Sequence, residues 1–475
     1  MEVSLLQPAR RSASALPDAA LLRKFDVPGP RYTSYPPADR FVDGFGPTDY
    51  ANWLHRRDGS AQDGVNVAGL SLYVHVPFCA NVCYYCACNK VVTRNYARAT
   101  IYLDALEKEV ELVSAALKGS RHVEQVHLGG GTPTFLNPSE LERLMSLLRR
   151  NFEWTSDAEI GLEVDPRTVG PNEIAIYREM GYNRLSLGVQ DFDLTVQRAI
   201  NRVQSVEKTA AIVAAARLEG YRSVNLDLIY GLPHQNRSTF AHTVDEVLRL
   251  RPDRIALYHY AHLPERFKPQ RRIATVDLPT SEEKMAIMLD AVERLGEAGY
   301  TYIGMDHFAL PEDELARAQE EGRLHRNFQG YSTRPDCDLL GFGVSAIGRV
   351  GPTYVQNHRE LDDYYESVNS GALPVARGIA LSNDDVIRRS VIMSLMCQFG
   401  LEKPSLRNRF GIDFDVYFRD ELESLDDLVL DGLVELHPDR IRVTPQGRFL
   451  VRAIAMRFDA GLKHSGGARR YSKIV

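Results

Sequence analysis

No apolar run in these 475 residues approaches the roughly 18 that a membrane-crossing helix requires; the most apolar windows, Val391 to Met396 and Ala210 to Ala216, stop far short. A membrane partner is not expected. The first residues carry Arg10 and Arg11 but then Ser12, Ala13, Ser14, Ala15 and Asp18, without the apolar core of a secretory signal, so export is not expected either. A strong excess of one charge is also missing: 57 Lys and Arg against 63 Asp and Glu leave −6, near neutral for this size. Cysteine is scarce. Six are too few for a disulfide scaffold, and four of them crowd between Cys79 and Cys88, too close for ordinary bridging. A reducing cytoplasm suits such a chain.

What is present is globular. A hydrophobic fraction of 44% with 25% charged residues excludes disorder, collagen and coiled coil as whole-chain descriptions. The length implies two or three domains. From about residue 70 to 260, short β-rich runs alternate with longer helical ones, which predicts a parallel sheet covered by crossover helices. The predicted strands are Leu70 to Val76, Val123 to Leu128, Glu159 to Val164, Arg184 to Val189, Val224 to Ile229 and Ile255 to Tyr260. Asn137 and Pro138 open one intervening helix, while Gly181 and Gly220 close two others. Six such units make a partial (β/α)6 barrel of α/β class, and its chemistry belongs in the loops after the strands.

Flanking regions differ in grain. Val27 to Pro37 is rich in Pro, Gly and Tyr and reads as an ordered arm or a linker. Helices over 384–397 and 419–433, a hairpin over 434–443 and a helix from Pro445 predict a mostly helical, winged-helix-like C-terminal domain, followed by a solvated basic tail from Lys463 to Lys473. The predicted division is an arm at 1–52, a catalytic domain at 53–373 and a C-terminal domain at 374–475.

Directly after the first strand stands the strongest chemical signal, Cys79-x3-Cys83-x2-Cys86-x-Cys88. A structural zinc site usually joins two separated knuckles and closes all four positions. Here the thiols share one short loop. Cys79, Cys83 and Cys86 can hold three irons of a [4Fe–4S] cluster and leave the fourth iron for a non-protein ligand, as needed to pass one electron into a bound sulfonium.

This loop resembles that of radical S-adenosylmethionine (SAM) enzymes. More narrowly, Tyr73, His75, the four cysteines and Asn89 to Arg94 resemble the oxygen-independent coproporphyrinogen III oxidase family. The likeness extends from Gly29-Pro-Arg-Tyr-Thr-Ser-Tyr-Pro36 to His325-Arg-Asn-Phe-Gln-Gly-Tyr331 and Gly343-Val-Ser-Ala-Ile347. It implies that Cys79, Cys83 and Cys86 ligate the cluster, that Cys88 is an additional cysteine outside the ligand set, and that Tyr73, His75 and Cys88 belong to the catalytic centre. Tyr85, often Phe in the family, would lie against SAM.

Gly129-Gly-Gly-Thr-Pro133 follows the second strand, where missing Cβ atoms let backbone amides approach a ligand. By the resemblance, Tyr73, Gly130, Gly131, Thr132, Glu163, Gln190, Arg202, Asp227, Ala261 and Ile347 bind SAM, and Phe328 and Gln329 serve a second SAM molecule. Taken alone, Gly129–Gly131 also fits a tight turn, Glu163 a salt bridge and Phe328 simple packing. Asp227 and Asn225 are costly inside an otherwise apolar strand, which points to a polar partner within the barrel.

The reaction implied is oxidative decarboxylation of two propionates of coproporphyrinogen III to the vinyls of protoporphyrinogen IX, in haem biosynthesis. Two SAM would be consumed as cosubstrates, with an electron-donating reductant for the cluster. Arg31, Arg94, His262 and Arg326 are candidates for the substrate's four carboxylates. Two other readings fit parts of the sequence. A haem-binding chaperone of the same superfamily would generally lack the GPRYTSYP arm and the fourth cysteine. A cluster-bearing transcription regulator would need a basic recognition face, whereas Arg407, Asn408 and Arg409 stand against Asp426, Asp427 and Asp431. Nucleic acid is not an expected partner, and the family precedent is a monomer.

Overall fold

A computed structural model of the chain describes residues 16–57, 69–334, 337–465 and 471–474. Residues 1–15 of the expected arm and 466–470 of the basic tail lie outside them. One compact unit is Thr33–Arg389; the second combines the described residues up to Tyr32 with Ser390 onward.

The first unit is built on six parallel strands: β1 (Leu70–Val76), β2 (His122–Gly130), β3 (Glu153–Val164), β4 (Arg184–Gln190), β5 (Ser223–Tyr230) and β6 (Arg254–His259), paired in that order. All six expected strands are present. The helix Pro138–Asn151 starts as predicted, with the Asn137 side chain accepting from the Glu140 amide and Pro138 in its first turn. Gly181 and Gly220 sit at φ +101° and +70°, the left-handed conformation that ends a helix.

Period-two alternation sorts the strand residues. Leu72, Val74, Val126, Leu128, Leu187, Leu226 and Leu228 are fully buried apolar positions. The opposite parity is polar: Ser71, Tyr73 and His75 on β1; Gln125 and His127 on β2; Glu159 and Glu163 on β3; Ser186 on β4; Asn225 and Asp227 on β5. Register aligns these residues across the sheet, with Ser71 beside Gln125, Gln125 beside Glu159, and Tyr73 beside His127. The barrel therefore has a polar lumen. At the strand starts it is braced by ions, since Arg184 Nε reaches Glu159 at 2.8 Å and Arg254 Nε reaches Asp313 at 2.8 Å.

The sheet is wider than the six predicted strands. Among the described residues it has twelve, extended past β6 by β7 (Thr301–Gly304) and β8 (His307–Ala309). On the free side of β1 lie β11 (Asp338–Phe342), parallel to it, and then antiparallel β12 (Ile347–Val350), β13 (Thr353–Asn357) and β14 (Val375–Ala380). A separate hairpin pairs β9 (His325–Asn327) with β10 (Gly330–Ser332).

In the second unit, β15 (Gly400–Glu402), β16 (Val434–Leu436) and β17 (Arg440–Val443) form a small sheet around the expected hairpin. The helix expected over 384–397 runs Asn383–Gln398. That expected over 419–433 is instead two short helices, Arg419–Glu423 and Asp426–Leu430. The Ser424 hydroxyl bonds back to the Glu421 carbonyl at 2.6 Å, and Asp426 and Asp427 supply the negative charge that a new helix start favours. Arg452 donates to the Pro30 carbonyl at 3.0 Å and Tyr32 to Asp459 at 3.0 Å, so the described arm residues up to Tyr32 are ordered parts of this unit.

Candidate active site

β1 delivers two functional positions, Tyr73 and His75. The Nε2 of His75 faces the Asn89 carbonyl at 2.9 Å, and Nδ1 lies 3.1 Å from the Tyr73 hydroxyl. Because a carbonyl only accepts, Nε2 carries the proton and Nδ1 receives the Tyr73 hydroxyl. Burial lowers the His75 pKa, which keeps this neutral tautomer in place, and burial raises that of Tyr73. His75 thereby ties the end of the strand to the far side of the cysteine loop.

Within that loop Cys79, Cys83, Cys86 and Cys88 are all free thiols, and Cys88 is exposed. The Cys79 sulfur is 3.4 Å from Thr132 Oγ1. Arg167 Nη2 and Arg202 Nη1 each stand 3.6 Å from the Cys83 sulfur. Both guanidiniums are anchored on Asp165, at 2.6 Å from Arg167 and 3.2 Å from Arg202. Burial alone would raise the Asp165 pKa, but the two arginines outweigh it and hold it low. Cys79 is pushed up to about 11 mainly by burial, while a hydrogen bond from Cys88 pulls Cys86 down. Among the described residues, no three His, Cys, Asp or Glu side chains converge on a position for a single metal ion. A cubane makes a different demand, one sulfur on each of three irons, and three free thiols on one short loop with two cationic donors at Cys83 fit it.

The glycine run has a concrete packing reason. A Cβ on Gly129 would lie 2.6 Å from Glu163, one on Gly130 2.8 Å from the His75 ring, and one on Gly131 2.5 Å from the Pro77 carbonyl oxygen. Gly130 also holds φ +119°. The end of β2 is thus pressed directly onto the start of the cysteine loop, with Gly131 N donating to the Val76 carbonyl at 2.8 Å.

Across the lumen, Glu163 accepts from His127 Nε2 at 3.0 Å and from the Gly130 amide at 3.2 Å. Asp227 accepts from Ser186 at 3.1 Å and Asn225 at 2.8 Å; burial, assisted by Glu163, raises its pKa to about 6. Glu163, Asp227, His127 and Gln329 line one cavity of about 150 Å³. Gln329 aims a buried amide with no protein partner for either side-chain polar atom into this space. Such a set suits a ligand bearing both ammonium and hydroxyl groups.

Other predicted residues fall nearby or apart. Gln190 is buried at φ +70°, and Arg202 donates to the Gly188 carbonyl at 2.6 Å. Ala261 and Tyr85 are joined by a residue the sequence did not single out: buried Gln270 donates to both of their carbonyls, at 3.2 and 2.9 Å. Ile347 opens β12, where its backbone occupies the place a Gly341 Cβ would take. Phe328 meets Tyr354 edge-on, with ring centres 6.0 Å apart. Phe328 and Arg326 line a second, smaller recess. His262 is held by Tyr260 at 2.9 Å, Arg94 is exposed, and Arg31 belongs to the other compact unit. Also missed was His127, whose signal was its inward position in register with Tyr73.

Comparison with known proteins agrees with this arrangement. Residues 73–247 match the Radical SAM superfamily model, and 381–450 the HemN C-terminal domain. The oxygen-independent coproporphyrinogen III oxidase of Pseudomonas aeruginosa is 51% identical over 460 residues, covering 96% of this chain and 98% of the relative. That of Escherichia coli is 47% identical over 458 residues, with the same coverage. The solved E. coli coproporphyrinogen III oxidase, described as a radical SAM enzyme, superposes with a TM-score of 0.88, covering 94% of this chain and 99% of its own. Among the described residues, no helix is long and apolar enough to cross a membrane.

Proposed function

The chain belongs to the oxygen-independent coproporphyrinogen III oxidase family, and we infer from this that it decarboxylates two propionates of coproporphyrinogen III oxidatively to form protoporphyrinogen IX in haem biosynthesis. The observation that carries the reading is the placement of the three-thiol loop at the end of β1, beside the polar lumen containing Glu163 and Asp227. When bound, the [4Fe–4S] cluster would supply the electron that cleaves SAM to methionine and a 5′-deoxyadenosyl radical, which would take hydrogen from the propionate β-carbon; loss of CO2 and of one electron to an external one-electron acceptor would then leave the vinyl group.

This chain's residues divide the remaining work. Cys79, Cys83 and Cys86 hold the cluster, and Cys88 stays outside the ligand set. Tyr73 and His75 fix the loop. Gly130, Gly131, Thr132, Glu163, Gln190, Arg202, Asp227, Ala261, Ile347 and Tyr85 receive SAM. Gln329 and Phe328 serve a second SAM molecule, so that each propionate has its own hydrogen acceptor. Arg31, Arg94, His262 and Arg326 answer the substrate's carboxylates. The arm at 1–52 shields the substrate of the catalytic domain at 53–373. Support comes from Thr33, which lines the recess with Arg326, and from Phe41, stacked on Tyr354 with ring centres 5.7 Å apart. The C-terminal domain spans 374–475.

We place the enzyme in the cytoplasm, where clustered thiols stay reduced, as a monomer served by an electron-donating reductant and without a nucleic-acid or membrane partner. Anaerobic incubation of reconstituted protein with reductant, SAM and coproporphyrinogen III tests the reading: vinyl products form together with 5′-deoxyadenosine. SAM cleavage that leaves all four propionates intact would contradict it.

A further inference from the structure

The smaller recess contains a buried guanidinium whose donors are not all used. It has a volume of about 30 Å³ and is lined by Arg326, Arg349, Arg389 and His325, together with neutral residues that include Thr33, Ser71 and Gln125; among the described residues, no carboxylate is in its walls. Arg349 is occupied by the Cys337 carbonyl at 2.7 Å and Arg389 by the Tyr354 hydroxyl at 2.9 Å. Arg326 is different. Only 6% of it is exposed, its guanidinium lies over the Tyr331 ring, and its buried Nε and Nη1 have no hydrogen-bond partner. A guanidinium cannot shed its proton to escape this cost, so a buried one lacking donors' partners calls for an anion.

Size and position narrow the anion. A single water needs roughly 10–15 Å³ of such space, so the recess takes two water-sized groups, the two oxygens of a carboxylate. Ser71 lies near the start of β1 and the cysteine loop follows its end, so the five steps from Ser71 to Val76, at about 3.3 Å each, set Ser71 roughly 17 Å from the start of that loop. The recess also shares Gln125, Asn327 and Ser332 with the larger cavity that holds Glu163 and Asp227. A molecule reacting in the larger cavity can therefore extend a second carboxylate into the smaller one.

We propose that the Arg326 recess is an anchoring subsite for a propionate of the tetrapyrrole that is not reacting in that turnover. This rests on coproporphyrinogen III being the substrate. Arg326 supplies the charge, through its unpartnered Nε and Nη1. The same chemistry could be met by the carboxylate of SAM, and the test separates the two.

Arg326→Gln and Thr33→Asp enzymes, each reconstituted with cluster, are assayed for the KM of coproporphyrinogen III and of SAM, alongside binding of fluorescent coproporphyrin III. Arg326→Gln should raise the coproporphyrinogen KM on the order of 30-fold or more, as expected for removing one partner of a buried charge pair. Its SAM KM and kcat should stay close to wild type, and Arg326→Lys should recover part of the loss. Thr33→Asp places a built-in anion in the recess. It should raise thermal stability while weakening the tetrapyrrole, a pair of effects that a purely structural Arg326 would not produce. An unchanged coproporphyrinogen KM in both variants overturns the subsite, as does a rise confined to the SAM KM. If wild-type enzyme binds coproporphyrin III in an Arg326-dependent way yet never decarboxylates coproporphyrinogen, the activity falls and the subsite stands.

Discussion

Arg167 points its Nη2 at the sulfur of Cys83 from 3.6 Å, while Asp165 grips the same guanidinium from the other side. A positive group at a thiolate ligand favours the more negative, reduced state of a cluster. Arg167→Ala should therefore shift the midpoint potential to more negative values, by on the order of tens of millivolts, with iron content retained. An EPR-monitored redox titration checks this. A potential equal to wild type would mean that Arg167 only packs the loop.

Cys88 stands exposed two residues beyond Cys86, and its backbone carbonyl lies 3.5 Å from Lys90 Nζ. Cys88→Ser, reconstituted anaerobically, should hold close to wild-type iron and sulfide, whereas serine at Cys79, Cys83 or Cys86 should lose most of both. Colorimetric iron and sulfide analysis distinguishes these outcomes.

Gly131 leaves no room for a methyl group, since its Cβ would lie 2.5 Å from the Pro77 carbonyl oxygen and 2.9 Å from that of Phe78. Gly131→Ala must push apart two backbone segments and should destabilise the barrel by roughly 1–3 kcal/mol, with impaired cluster retention. Gly296, within a helix and with nothing within 4 Å of its would-be Cβ, is the control. Gly296→Ala should be neutral or stabilising by about 0.4–1 kcal/mol. Thermal unfolding and iron content report both.

Glu109 offers a pH test. This buried carboxyl accepts from the Gly343 amide at 2.7 Å, Asn357 at 2.6 Å and Tyr364 at 2.6 Å, and so fixes the loop that leads to Ile347. Burial raises its pKa from 4.5 to about 7, against the pull of those three donors. The folded state then binds more protons than the unfolded state between those values. The favourable contribution is complete below about pH 4.5 and lost as pH rises toward 7, to a total on the order of 3 kcal/mol. Denaturant titrations from pH 5 to 8 should show this decline in wild type and a shallower one in Glu109→Gln. Identical slopes would contradict the assignment.

The barrel was legible because its strands obey a strict parity. Leu70 to Val76 was delimited to the residue, since apolar side chains alternate with Ser71, Tyr73 and His75. β3 begins earlier than expected, at Glu153, because its first half is largely exposed and carries no burial pattern. β11 escaped notice for the opposite reason: Asp338–Phe342 is short, and its Asp is buried by pairing with Arg57 at 2.8 Å, a partner far away in sequence. The cysteine loop announced its chemistry by spacing alone. Gln270 could not, because a lone glutamine acquires meaning only when folding brings Tyr85 and Ala261 to it.

The most direct test of the account is the stoichiometry of the anaerobic reaction with coproporphyrinogen III, with 5′-deoxyadenosine, CO2 and protoporphyrinogen IX quantified in the same samples. If each propionate is oxidised through its own SAM within this barrel, 5′-deoxyadenosine and CO2 accumulate in equal amounts, two of each for every protoporphyrinogen IX. CO2 released with far less 5′-deoxyadenosine, or 5′-deoxyadenosine without any vinyl product, would contradict it.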